Sequence, residues 1–250
     1  MLTPQEWHQR FIQQSTWTEQ IRHNLYQQSA LTTSRRVLEV GCGSGVISSD
    51  IQNSFQGKVV GLDLRLDFLQ LASTIRPKGF WLQADVMQMP FQTAAFDSTY
   101  CHFFLLWIQN PLQALIEMRR VVRSGGFVVA MAEPDYGGRI DHPSPLSQLG
   151  GLQAQALRQQ GADPEVGRKL RQLFHQAGFY AIRVGLLGGQ WYAPPTPTQL
   201  ESEWTILRTD LERMISPSQI AEFQHMDTDA WEKGVRILFV PTFYAIGKVP

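Results

Sequence analysis

An excess of charge of either sign is missing from this chain: 22 Lys and Arg meet 22 Asp and Glu, a formal net charge of zero over 250 residues. Binding the phosphate backbone of nucleic acid normally takes a basic stripe, so no nucleic-acid partner is expected. Cysteine is scarce as well. Cys42 and Cys101 stand in no Cys-x-x-Cys or Cys/His spacing, which argues against a zinc site or a disulfide framework and suits a reducing cytosol. Long apolar runs are lacking too. The stretch FFLLWI is far below membrane-spanning length, and the start MLTPQEWHQR has no basic residues leading into an apolar core. The expectation from these absences is a cytoplasmic, untargeted protein without integral membrane association; a monomeric or homodimeric state is expected. No internal repeat or low-complexity tract is visible.

A hydrophobic content of 43% over this length is ample for a sizeable core and suits a single α/β domain with insertions. The glutamine-rich first 30 residues carry Trp7, Phe11, Ile21 and Leu25 at helical spacing and read as a helical cap. From Arg36 onward short apolar runs alternate with amphipathic segments. Strands are expected at 37–40, 58–63, 79–84, 97–102 and 127–132, with Ile47, Ile51 and Phe55 marking one crossover helix and Leu112, Leu115, Ile116 and Val122 another. A strong helical stripe through Val166, Leu170, Leu173, Phe174 and Ala177 stops at Gly178 before the strand FYAIRVGLL. The final run, RILFVPTFYAIGKV, reads as the last strand, with a bulge or an edge at Pro241 because proline cannot donate to a ladder. Residues 36–132 form the expected cofactor-binding core. Residues 133–162 and 190–232 break the alternation and read as substrate-side insertions at the carboxyl edge of the strands, where open α/β sheets bind ligands.

The stretch RRVLEVGCGSGVIS runs a buried strand directly into Gly41, Gly43 and Gly45 and then a helix. Bare backbone at that place allows a ligand to approach closely, and a loop filled by the chain's own side chains would count against this reading. A P-loop is excluded, because no Gly-Lys-Ser/Thr follows. The dinucleotide fingerprint G-x-G-x-x-G fits less well: its third glycine position is Val46, leaving an NAD-dependent oxidoreductase as a weaker alternative.

The pattern Glu39-x-Gly41-x-Gly43-x-Gly45 resembles the first motif of class I S-adenosylmethionine-dependent methyltransferases, in particular the small-molecule group (type 11) that includes the ubiquinone/menaquinone-biosynthesis type. The resemblance extends over roughly residues 36–132. VVGLDL places Asp63 about 20 residues past the loop, where the resemblance implies a carboxylate accepting from both ribose hydroxyls. LQADVMQMPF resembles the adenine site, with Asp85 on the exocyclic amine, the Val86 backbone on the ring edge, and Leu64 and Met87 on the ring faces. FDSTYCHFFLLW resembles the fourth-strand motif and puts Cys101 and His102 at the methionine end of the cofactor, alongside Glu39 and Cys42. RRVVRSGGFVVA resembles the Arg-Pro-Gly-Gly lead-in to the fifth strand, with Ser124 in place of proline. The fold implied is Rossmann-like and doubly wound, a seven-stranded mostly parallel sheet with an antiparallel last strand, helices on both faces and helical cap insertions.

Structural roles compete at several of these positions. Asp63 is placed to cap the helix that follows, Asp85 to close a turn, and Glu39 needs a partner inside its buried strand. His102 reads equally as catalytic base and as hydrogen-bonded pocket wall, and Glu133, Asp135 and His142 are further candidate bases. Trp107, Tyr136, Trp191 and Trp204 are candidates for lining a flat apolar pocket. Neither a Pro-Cys nucleophile nor an Asp/Asn-Pro-Pro-aromatic segment follows the fourth strand, which turns the resemblance away from DNA methylation and toward a small or lipid-like acceptor, with no metal. The expected cofactor is S-adenosylmethionine, released as S-adenosylhomocysteine; the alternative in another class is a non-catalytic cofactor- or partner-binding protein on the same fold.

Overall fold

The computed structural model describes residues 2–187 and 194–250. The N-terminal segment forms one long helix, α1 (Pro4–Gln28), started by a capping box between Thr3 and Glu6 with proline in the first turn. Its inward face mixes Leu25 and Tyr26 with the polar Arg10, Thr18 and Arg22, all buried. The polar members have distant partners: Arg10 pairs with Glu203, Thr18 with His102 and Arg22 with Asp50.

The core alternates strand and helix: β1 (Arg36–Val40), α2 (Val46–Asn53), β2 (Lys58–Asp63), α3 (Leu66–Ile75), β3 (Phe80–Gln83), β4 (Phe96–Cys101), α4 (Pro111–Val121) and β5 (Val122–Pro134). After an insertion come α6 (Val166–Gln176) and β7 (Tyr180–Leu186); β9 (Thr242–Lys248) closes the sheet in the order β3-β2-β1-β4-β5-β9-β7. β9 runs antiparallel to both neighbours and the other pairs are parallel, as expected for this doubly wound α/β class. The pleat sends alternate residues to opposite faces. Val37 and Val129 join α1 and α2 in one apolar cluster, while Leu38, Val40, Val128 and Ala130 join α4 and α6 in the other. The chain reverses its winding between β1 and β4, so the crevice at their carboxyl ends is where a ligand site belongs.

The last apolar run is two strands rather than one. β8 (Ile237–Phe239) ends before Pro241 and leaves the main sheet to pair with β6 (Ile140–His142) from the first insertion. Pro241 has no N–H to donate, and the break lets β8 serve a second sheet while β9 serves the first. Together with α5 (Ser147–Gln159), α7 (Pro197–Leu211) and α8 (Pro217–Glu232) this ribbon forms a cap with its own apolar cluster, in which Leu146, Leu149, Trp204, Leu207, Leu211 and Ile220 are buried. Among the described residues no helix is long and apolar enough to cross a membrane.

Candidate active site

β1 delivers the chain into Gly41, Gly43 and Gly45 at φ of 69°, 51° and 79°. All three are left-handed, a region that costs any residue with a Cβ and that glycine adopts freely. The N–H groups of Gly41 and Cys42 donate to the Leu62 carbonyl at 2.8 and 3.0 Å, tying the loop to the end of β2. Gly43 N–H donates to Asp63 Oδ2 at 2.8 Å and Arg65 N–H to Oδ1 at 2.9 Å, so the carboxylate faces the loop. The N-cap residue of α3 is Arg65, which leaves Asp63 outside the capping position. Burial raises the Asp63 carboxyl above its usual range against these donors.

Beside it, the register Asp63↔Gln83 carries the ends of β2 and β3 side by side. Leu64 is 64% exposed and Met87 half-buried, two apolar faces at the same edge. Asp85 is exposed and its Oδ1 accepts from Met87 N–H at 2.8 Å, closing a short 3-10 turn over residues 86–88; Val86 points into the core. Asp85 thus closes a turn and keeps further lone pairs free for a donor.

Deeper groups are held by the protein itself. Glu39 accepts from the Ser48 hydroxyl, and burial, reinforced by Asp63, pushes its carboxyl up to about 8. Cys42 and Cys101 are buried free thiols raised by burial, and Cys101 Sγ lies 4.0 Å from a carboxylate oxygen of Glu133. His102 Nε2 meets Thr18 Oγ at 2.8 Å, and Thr18 in turn accepts from Arg22 at 2.6 Å. Burial, then the nearby Arg22 charge, takes the imidazole down to about 3, so it is neutral at physiological pH and weakly basic. Glu133 is fully buried and accepts the N–H groups of Phe104, Leu105 and Leu106 at 3.0, 3.0 and 3.2 Å; burial pushes it up to about 7. It anchors the turn after β4, a role signalled in the sequence by an acid at the end of a buried strand. Asp135 is gripped by Arg168 at 2.6 and 2.7 Å, and the His142 side chain is exposed.

A cavity of about 500 Å³ lies between the carboxyl ends of β4 and β5 and the cap. Phe103 and Pro134 form its floor and Tyr136, Trp204 and Trp231 part of its wall, with Trp17 from α1. Trp107 is 44% exposed and elsewhere; Trp191 lies outside the described residues. Trp17 and Trp231 were not anticipated, since each sits in a polar helical stretch with no local signal.

Residues 38–130 match the family described as methyltransferase domain. They belong to that family. An uncharacterised methyltransferase of Schizosaccharomyces pombe is 26% identical over 80% of this chain and 74% of its own length. Demethylmenaquinone methyltransferase of Lactococcus lactis is 27% identical over 63% of this chain and 70% of its own length. Among solved structures, phosphoethanolamine N-methyltransferase 2 of Haemonchus contortus in complex with S-adenosyl-L-methionine has the same fold, with a TM-score of 0.61 at 15% identity over 93% of this chain and 52% of that one. The protein is a class I S-adenosylmethionine-dependent methyltransferase.

One expectation for this methyltransferase needs correction. The glycine loop is not bare on its open side: a methyl group placed on Gly41 would lie 2.1 Å from the Phe104 ring, and one on Gly43 2.8 Å from the Phe11 ring. Phe11 is braced by Trp7, stacked at 5.8 Å, and by the edge of Phe68 at 5.5 Å, while His8 Nδ1 meets Ser44 Oγ at 2.7 Å. Glycine Cα faces and aromatic rings packed together cover each other from water. What fills the space is aromatic side chain and not backbone, and the groups beside it, a carboxylate at Asp63, apolar faces at Leu64 and Met87 and acceptor lone pairs on Asp85, are of a kind that suits a nucleoside cofactor. Phe11→Ala is therefore expected to tighten S-adenosylhomocysteine binding about fivefold, because a larger fraction of the protein is open to it, roughly 1 kcal/mol. Calorimetry checks this; weaker binding in the variant would make Phe11 a wall of the bound state.

Proposed function

We propose that the enzyme transfers the methyl group of S-adenosylmethionine to a small neutral acceptor, aromatic or lipid-like, held in the cavity beneath the cap. The observation that carries the reading is the pairing of charge in the cavity wall. Arg10 is bound to Glu203, Arg139 to Asp141 and Arg236 to Asp227, so every arginine among the described lining residues already has a carboxylate. A phosphorylated or carboxylated acceptor finds no spare cation there, whereas a flat apolar one finds Trp17, Tyr136, Trp204 and Trp231. Relatives named demethylmenaquinone methyltransferase and 2-phytyl-1,4-naphtoquinone methyltransferase, the latter of Synechocystis, 32% identical over 39% of this chain and 44% of its own length, support a quinone-like acceptor.

The sulfonium of the bound cofactor supplies an electrophilic methyl group, and the chain's own task is to orient the acceptor and exclude water. Asp63 holds the sugar; Leu64, Asp85, Val86 and Met87 the adenine; Glu39, Gly41, Cys42, Gly43, Gly45, Cys101 and His102 surround the methionine end. His102, kept neutral by burial and tied to Thr18, acts here as a hydrogen-bonding wall more than as a proton acceptor. The buried free thiols suit a reducing cytosol and the zero net charge suits a partner other than nucleic acid; the enzyme works there as a monomer or homodimer.

Thermal shift with S-adenosylmethionine, S-adenosylhomocysteine and NAD, followed by a labelled-methyl screen of naphthoquinols, fatty acids and phosphoethanolamine, tests the reading. At a hundredfold excess over Kd the cofactor should stabilise by about 2.7 kcal/mol and the quinols should be labelled. Stabilisation by NAD alone, or labelling of phosphoethanolamine alone, would overturn it. The non-catalytic alternative predicts cofactor binding with no acceptor labelled at all.

A further inference from the structure

Tyr136 follows β5 by two residues, on a short 3-10 turn over residues 136–138, and its side chain lines the cavity. The backbone there is pinned. Tyr136 N–H donates to the Pro164 carbonyl at 2.8 Å, Gly138 N–H to that of Asp135 at 3.1 Å, and the two-pronged Arg168–Asp135 pair fixes the residue before it. The phenolic hydroxyl has no partner among the described residues, in contrast to the two fully buried tyrosines: Tyr26 donates to Asp50 at 2.8 Å and Tyr100 meets Ser29 at 2.7 Å. A hydroxyl fixed on a cavity wall without a protein partner is a directed donor for whatever enters.

The charges around it keep it a donor. Burial raises the phenol above its usual range; Arg10 and Arg139 pull it down, Glu203 and Asp210 push it up. Both arginines are engaged elsewhere, Arg10 with Glu203 and Arg139 with Asp141 at 2.6 and 3.0 Å and with Gln153 at 2.5 Å. Position completes the case, because β5 pairs with β4, whose end carries Cys101 and His102 at the cofactor crevice.

We propose that Tyr136 anchors the methyl acceptor, donating its phenolic hydrogen to an oxygen of a neutral, oxygen-bearing ring compound so that the acceptor lies across the crevice end of β4 and β5. The assignment rests on the cavity being the acceptor site. It adds a requirement that the charge pairing alone does not impose: the acceptor carries a hydrogen-bond-accepting oxygen, as quinols do and plain hydrocarbons do not.

The test compares wild type with Tyr136→Phe, an isosteric change, using 1,4-dihydroxynaphthalene as probe in the presence of saturating S-adenosylhomocysteine. Calorimetry should show probe affinity about tenfold weaker in the variant, with S-adenosylhomocysteine affinity unchanged. The variant's Tm should be equal to or above that of wild type, since no internal hydrogen bond is lost, whereas Tyr100→Phe should lower Tm through loss of the Ser29 bond. Equal probe affinity in the two proteins overturns the anchor while leaving the cavity assignment standing. Absence of probe binding to wild type overturns both. A lowered Tm or weakened S-adenosylhomocysteine binding in Tyr136→Phe makes the residue structural and overturns the anchor.

Discussion

Asp63→Ala is expected to weaken S-adenosylmethionine binding at least a hundredfold. In the folded protein each carboxylate oxygen accepts one backbone N–H, from Gly43 and from Arg65, and retains lone pairs toward the crevice. Two charge-assisted hydrogen bonds to ribose hydroxyls at roughly 1.5–3 kcal/mol each account for the loss, at about 1.4 kcal/mol per factor of ten. The variant also leaves the Gly43 N–H without its acceptor and loosens the glycine loop itself. Asp63→Asn keeps one acceptor oxygen and should fall between the two. Because burial already raises the Asp63 carboxyl, acidification should weaken binding at a higher pH than an ordinary aspartate would allow, protonation removing an acceptor lone pair. Calorimetry across pH reads all three effects; affinity within threefold of wild type in Asp63→Ala would place the sugar elsewhere.

The placement of Asp63 against the glycine loop was legible in the sequence because its cue is local: an apolar strand, one acid at its end, and a glycine loop about 20 residues before. The same holds for the sheet, whose strands are short apolar runs between amphipathic helices, and β2 spans Lys58–Asp63 as expected. The parts that the sequence left open depend on partners far along the chain. Helical spacing marked Phe11 as apolar without revealing that its ring would settle on Gly43. Glu133 and His102 carry the residue types of a catalytic base, yet three N–H groups from the turn after β4 claim the first and Thr18 of α1 the second. Pro241 was visible as an interruption, but the strand that recruits Ile237–Phe239 lies about a hundred residues earlier, in the Pro- and Gly-rich stretch around Ile140. Alternation tells a residue which side of a sheet it takes, and cannot say which sheet.

The cap that these long-range pairings build hangs on Arg236, and Arg236→Ala is expected to cost roughly 3–5 kcal/mol in the cap while sparing cofactor binding. Arg236 is 4% exposed; its Nε reaches Asp227 at 2.5 Å and its Nη2 Asp141 at 2.7 Å, with Nη1 on the His142 carbonyl at 3.2 Å. Asp227 also accepts from the Trp204 indole at 2.9 Å, and Asp141 holds Arg139. The one guanidinium therefore joins α8 to the β6–β8 ribbon and, through Trp204, to α7. Its removal leaves Asp227 buried with only an indole donor, an uncompensated charge in the middle of the cap's apolar cluster. All of these groups lie outside residues 38–130, so the variant separates the two halves of the site. The expected pattern is a Tm lower by roughly 10 °C at about 2–4 °C per kcal/mol, S-adenosylhomocysteine affinity close to wild type, and acceptor methylation lost. Arg236→Lys keeps the charge without the fork and should recover only part of the Tm. Cofactor affinity falling in step with cap stability would mean that α1, which bridges the loop at Ser44 and the cap at Glu203, transmits the damage, and that the two half-sites fold as one unit.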